Sequence, residues 1–460
     1  MKQSNSRWAV NLTALVLAAG LLIGLFTGCF QLGSSKPQTG NSQPQPNEYG
    51  HLKTDGYGTI TGYTCAQTDL PKVLVIPAKI GEEVITGIGW SAFKDCTSLT
   101  ELKLPASLTK IGSSAFSDCT GLTSVDLSAC INLTEIGVSA FSGCTGLTSI
   151  DLSACRSLTE IAYNAFSGCT GLTSIDLSAC TSLTQIGNSA FSSCTGLTSI
   201  DLSGCTSITK IEKYAFYGCR GLTEVKLPAS LTGIGELAFH GCTSLTSIDL
   251  SACTSLTQIG GRAFFKCDGL TEVKLPASLT EIGHGAFKGC TGLTSLDLSA
   301  CISLTKLGYN AFEDCTGLTS LDLSACTSLT AISGFSGCTS LTEVKLPASL
   351  TQIDGNAFFK CESLTEVKLP ASLTQIGGSA FFKCEGLTEV KLPASLTKIS
   401  QGAFEGCTGL TSAVFADKND WKVYNNYDYS DIPTDIQLNN TATAAWYLRE
   451  AYADKYWKKN

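Results

Sequence analysis

Along most of this chain the apolar residues return in one fixed order. In the segment starting at Leu147 they are Leu147, Ile150, Leu152, Cys155, Leu158, Ile161, Ala165, Phe166 and Cys169, and neighbouring segments repeat them almost letter for letter. Ile150-Asp151-Leu152 alternates with period two, which predicts a strand with one buried face. Leu158 to Ile161 predicts a second short strand on the opposite side. Asn164 to Cys169 predicts a single helical turn capped by Asn164. A segment this short cannot bury its apolar face alone, so near-copies at a fixed period predict stacked coils sharing one core.

Coils begin at Leu99, Leu122, Leu147, Leu172, Leu197, Leu222, Leu245, Leu270, Leu293, Leu318, Leu341, Leu364 and Leu387, with a degenerate copy from Leu410, at spacings of 23 or 25 residues. The long form reads LTSIDLSACTSLTQIG. The short form, LTEVKLPASLTKIG, puts Pro-Ala-Ser where the long one has Ser-Ala-Cys plus two residues. The coil from Leu318 reads AISGFSGC where others read IGxxAFxGC, so an irregularity is expected there. Successive first strands should pair in parallel as a right-handed coil. The fold class expected is thus an α/β solenoid, predominantly β, with a parallel sheet on one face and a small C-terminal cap.

The ends of the chain break the pattern. Lys2 and Arg7, an apolar run from Ala9 to Phe26, and Phe26-Thr27-Gly28-Cys29 resemble a bacterial lipoprotein signal over residues 1–28, which implies lipidation at Cys29. Residues 29–56, rich in Gln, Ser, Pro, Gly and Asn, are expected to be a flexible tether. The solenoid, with an atypical first coil that includes Cys65, should occupy 57–410. Residues 411–460 are expected to form a C-terminal cap with a short helix, started by Thr441 or Thr443 and ended by Lys458 and Lys459.

Cysteine is abundant, at 23 residues, yet its placement points to packing. Fourteen cysteines lie three residues after the repeat Phe, and seven more follow Asp-Leu-Ser-Ala/Gly. One Cys per coil at a constant offset is what a small inward-facing hydrophobe gives. Side chains on neighbouring strands sit roughly 4.8 Å apart, wider than the roughly 3.8 Å between Cβ atoms that a disulfide prefers, so buried free thiols are expected. No CxxC pair argues for zinc. The net charge of −8 argues against a nucleic-acid partner.

The letters L-x-x-L-x-L and LPASLTxIGxxAFxxC resemble the BspA-like leucine-rich repeats of bacterial surface proteins, over Val75 to Leu410. That resemblance implies a cell-surface protein, lipid-anchored in the outer membrane, which binds host matrix or serum proteins or the surfaces of other cells. No cofactor is needed for that role. A structural envelope spacer without a specific ligand is the alternative. In the long coils Cys replaces the Asn usual at the strand exit, which puts the usual hydrogen bonds of that turn in question.

No nucleophile with a positioned base, P-loop or HExxH is present, so no enzymatic activity is expected, and His51, His240 and His284 are expected to be incidental exposed residues. The candidate binding residues flank the buried residue of each first strand. Asp126, Asp151, Asp176 and Asp201 form a run of four acids on adjacent strands. Nearer the C-terminus Glu343, Glu366 and Glu389 run beside Lys345, Lys368 and Lys391. Like charges opposite one another cost about 0.2–1 kcal/mol per pair. The acidic run could be a protein-binding stripe, a calcium site, or solvated side chains left by duplication.

Overall fold

The computed structural model describes residues 51–430 and 434–459. The expected leader with Cys29, and most of the expected tether, lie outside them. From Val73 onward the chain winds as a solenoid with two ladders of short strands. The first ladder contains Glu101–Lys103, Ser124–Asp126, Ser149–Asp151, Ser174–Asp176 and their later copies. Its strands pair in parallel without slippage, so Ser149, Ile150 and Asp151 face Ser174, Ile175 and Asp176. The second ladder runs through Glu135–Ile136, Glu160–Ile161 and Gln185–Ile186, again in parallel. Alternation explains both, since the apolar residue of each strand, Leu102, Val125 or Ile150 in the first ladder and Ile136 or Ile161 in the second, is buried while the polar residues of the strand face outward.

The third side of each coil corrects an expectation. Residues 164–169 form successive tight turns and no helix, and Asn164 is no N-cap: it sits at φ 57, followed by Gly168 at φ 74. The N–H groups of Ala165, Ser167 and Cys169 close turns on Ala162, Asn164 and Phe166. Those of Asn164, Phe166 and Gly168 donate to Asn188, Ala190 and Ser192 of the next coil, at 2.8 to 3.1 Å. A helical turn would keep these bonds within the coil. Interspersed left-handed residues instead aim every second donor at the neighbour, which adds a third ladder between coils.

Inside, one Phe per coil stacks on the next, from 5.1 Å between the ring centroids of Phe264 and Phe287 to 5.9 Å between Phe335 and Phe358. Every described cysteine is a free thiol, and all but Cys65 are buried. They do more than fill space. The Sγ of Cys169 donates to the Phe141 carbonyl at 3.1 Å, and Cys144 and Cys194 repeat the bond one coil either way. At the strand exit Cys180 and Cys205 donate to Leu152 and Leu177 at 3.5 Å. In short coils Ser230 and Ser395 bond a different carbonyl of the preceding coil, that of Ile208 and Leu373. In the long coils, side-chain bonds at the strand exit are therefore supplied by thiols.

The coil from Leu318 is irregular, as its letters predict. Gly334 takes φ 100, and Ser333 is buried with its hydroxyl on the Leu307 carbonyl. The ends are closed differently from the sequence expectation. Leu52–Thr54 is already a strand, antiparallel to Thr59–Tyr63, so the N-terminal cap reaches into the stretch assigned to the tether. At the other end Asn440, not Thr441 or Thr443, caps the helix Thr441–Trp446 by accepting from the Thr443 N–H. Lys458 and Lys459 lie in the strand Tyr456–Lys459, which pairs antiparallel with Lys398–Ile399 and covers the last edge of the second ladder. Antiparallel pairing ends the stack because it offers the next coil no parallel register.

Candidate functional site

The outward side chains of the first ladder are exposed, and each candidate has a local reason for its type. In the long coils the Asp at the strand end accepts the N–H of the residue two further on: Asp151 from Ser153 at 2.8 Å, and Asp176 from Ser178 at 2.9 Å. Asp126 and Asp201 accept both the N–H and the hydroxyl of Ser128 and Ser203. This is an Asx turn, and it closes the bend where the strand leaves the sheet. The Ser128 and Ser203 hydroxyls, with their N–H groups, hold the Asp126 and Asp201 carboxyls below the usual carboxylate range. Each Asx bond uses Oδ1 only.

The charge pattern is more differentiated than a plain run of four. Asp126 faces Lys103 in register, and Asp201 pairs with Lys226 at 3.6 Å. Asp151 and Asp176 face each other and make no ion pair among the described residues. They line, with Ser149, Ser174, Ser199 and Asp201, a shallow depression of about 460 Å³. Toward the C-terminal end a depression of about 530 Å³ brings together Glu366, Lys368, Glu389 and Lys391. There the pairs close within a strand, Lys368 with Glu366 at 3.5 Å and Lys391 with Glu389 at 3.2 Å. Lys345 turns instead to Asp322 of the preceding coil at 3.3 Å, although Glu343 stands on its own strand. Among the described residues no group of three or more His, Cys, Asp or Glu is placed to hold a metal ion.

Two histidines differ from expectation. His51 lies beside the first cap strand, half-buried, and burial lowers its pKa. His240 is half-buried between the rings of Tyr217 and Phe265, at 4.6 and 4.9 Å. Burial, and then Lys266 and Arg262, lower its pKa. This aromatic row on the turn side was missed by a reading directed at the strands. The signal lay in comparing coils, because Ser142, Ser167 and Ser192 hold the equivalent place elsewhere.

Comparison with known proteins agrees with this geometry. The family model for the BspA type leucine rich repeat region matches in six copies, over residues 60–198, 239–334 and 305–432, more than half of the chain. A solved leucine-rich repeat protein from Bacteroides ovatus is 27% identical, with a TM-score of 0.53, over 78% of this chain and 91% of its own. A leucine rich cell surface protein from Faecalibacterium prausnitzii is 24% identical, with a TM-score of 0.42, over 82% and 96%. Comparison with curated protein sequences finds no match. Solenoids of this kind generally bind proteins or serve as structure and are not enzymes, and those with this repeat are typically found at the cell surface. No helix among the described residues is long and apolar enough to cross a membrane. With the repeat letters, two parallel ladders and the stacked Phe core all in place, the chain belongs to the BspA-type leucine-rich-repeat family.

Proposed function

We propose that this is a bacterial surface protein, held in the outer membrane by a lipid on Cys29, which adheres to host matrix or serum proteins or to other cells through the first-ladder face. The observation that carries this reading is the Asp151–Asp176 pair. Two carboxylates face each other across neighbouring strands with no counter-ion, an arrangement that costs about 0.2–1 kcal/mol. The Asx turns account for one oxygen of each exposed carboxylate, and a basic group on a partner would relieve the repulsion between the two. The Glu/Lys pairs near Lys368 and Lys391 extend the face with a neutral, polar rim of the kind that surrounds protein contacts.

The experiment is binding of intact cells and of the purified chain to an array of matrix and serum proteins, with wild type compared to Asp151→Asn plus Asp176→Asn. Loss of binding in the double variant, with unchanged melting, supports the reading. Surface display with no bound protein, and no effect of the variant, would favour the envelope-spacer alternative.

A further inference from the structure

Aligned on their leading Leu, the coils are nearly uniform on the first-ladder face, where the outward strand positions hold only Ser or Glu and then Asp or Lys. They diverge at the corner where the second ladder turns into the Phe side. Trp90, Val138, Tyr163, Glu236 and Tyr309 occupy one and the same corner position. Of these, Trp90 is 77% exposed and Tyr309 61%. In a repeat whose core letters scarcely vary, divergence confined to exposed positions marks where selection or drift is free of the fold.

Three consecutive coils, starting at Leu197, Leu222 and Leu245, show that drift is not the whole of it. Tyr214, Leu237 and Arg262 occupy a left-handed position, at φ 59, 58 and 53. The other coils place Ser, Asn or Gly there. These small or locally hydrogen-bonding residues suit positive φ, whereas a bulky side chain is strained in it. The left-handed backbone itself serves the ladder between coils, through the Tyr214, Leu237 and Arg262 N–H groups, but Ser, Asn or Gly would serve it with less strain. Tyr214 and Arg262 are exposed and Leu237 is half-buried, and strained side chains clustered at a surface are a usual mark of a site.

The neighbouring position carries the row of Tyr217, His240 and Phe265, stacked within 3° to 4° of parallel. Tyr214 packs edge-on against Tyr217, and Lys266 lies over Phe265. Arg220, Arg262 and Lys266 are exposed and make no ion pair among the described residues, in a chain of net charge −8. Lys213, at the edge, is paired with Glu236 at 2.9 Å.

We infer that this corner, over the coils from Leu197 to Gly269, is a second recognition patch, with aromatic side chains at its centre and cations at its rim, and that it takes an acidic protein surface. It rests on the reading of the chain as protein-binding but uses a different face. The composition, Tyr with Arg around a half-buried aromatic centre, is that of protein hot spots. The stacking argues against a sugar, because the inner ring faces already cover one another and present edges outward. The unpaired cations select for carboxylates, and steering by opposite charge makes the contact salt-sensitive.

The test selects a phage-displayed random peptide library on the purified full chain. Selected peptides should be enriched in Asp and Glu around an aromatic residue, and bind less tightly as salt is raised. Arg262→Ser plus Phe265→Ser should weaken them at least tenfold. Both substitutions install the residue that other coils carry, so melting should stay level or rise, which separates lost recognition from lost folding. Asp151→Asn plus Asp176→Asn should leave the peptides bound. Selected peptides without acidic excess, or indifferent to the corner variant, overturn the inference. Heparin bound in their place, with loss in the same variant, would assign the patch to an anionic polysaccharide and overturn it too. Peptides lost only in the Asp151/Asp176 variant would leave the protein-binding reading standing and remove this patch from it.

Discussion

Single residues in this chain often serve two masters, and the cysteines show how. Their number suggests redox or metal chemistry, but burial pushes the Cys130 thiol up to about 12 and the Cys155 thiol up to about 11. The thiolate is the reactive form, so these groups are inert at neutral pH. The expected outcome of thiol titration is that native protein, without reductant, reacts fast at Cys65 alone among the described thiols, and the buried set reacts only on unfolding. Fast labelling of the whole set would mean the stack opens readily. The Asp caps have their own readout. The carboxyls of Asp126, Asp201, Asp249, Asp297 and Asp322 are depressed by serine hydroxyl and N–H donors. A depressed acid stabilises the fold above its unfolded pKa, about 3.9, and that contribution goes as pH falls through the folded value. His51 and His240 are depressed as well, so their loss comes earlier, as pH drops below about 6.5. Melting temperature followed from pH 7 to 3 should therefore decline in two steps, and a His240→Phe variant should lose part of the first. A flat profile down to pH 4 would contradict the histidine part.

At the scale of the coil, the side chain packed in the middle matters more than any bond at the surface. Phe216 stacks between Phe191 and Phe239 at 5.5 and 5.2 Å and is fully buried. Phe216→Ala should cost about 3–5 kcal/mol, read from urea melts, because neighbours held by three backbone ladders cannot collapse into the gap. Surface ion pairs such as Lys110 with Glu135 should cost under about 1 kcal/mol on removal. The strands were legible because alternation with period two is a direct consequence of one buried face. The turn side was not. Asn164-Ala165-Phe166 has letters suited to a capped helical turn, and what decides against it is the neighbouring coil, whose carbonyls accept every second N–H. Such a preference is tertiary, so no local reading of one coil contains it. The same holds for the corner patch, whose residues look unremarkable singly and stand out only when thirteen aligned coils show that Leu237 sits where Ser, Asn or Gly belongs.

The whole solenoid behaves as a one-dimensional stack, in which each coil touches only its neighbours and the ends need closing. The C-terminal end is closed by Trp457, fully buried, and by Arg449, whose guanidinium donates to the Leu410 carbonyl at 2.5 Å. The N–H groups of Gly402 and Gly406, which would seek a further coil, donate to Ala453 and Arg449. Since no property of an inner coil depends on its distance from either cap, register is the only condition for removing one. Deleting Leu172–Gly196 joins Gly171 to Leu197 and takes out one coil of 25 residues. Ser149, Ile150 and Asp151 would then face Ser199, Ile200 and Asp201, the same letters they face now. The shortened chain should fold with an unchanged circular dichroism spectrum per residue and a single melting transition. Deleting only 172–184, about half a coil, sets the second strand of one coil against the first of the next and exposes the Phe row, so it should give aggregated or partly unfolded protein. Equal behaviour of the two deletions would mean that the ladders do not fix the register. The first deletion also removes Asp176 while leaving Tyr214, Leu237 and Arg262 in place, so it separates the two candidate faces. Asp151 would then face Asp201, which Lys226 pairs at 3.6 Å, so binding through the acidic strip should fall, and selection of acidic peptides by the corner should not.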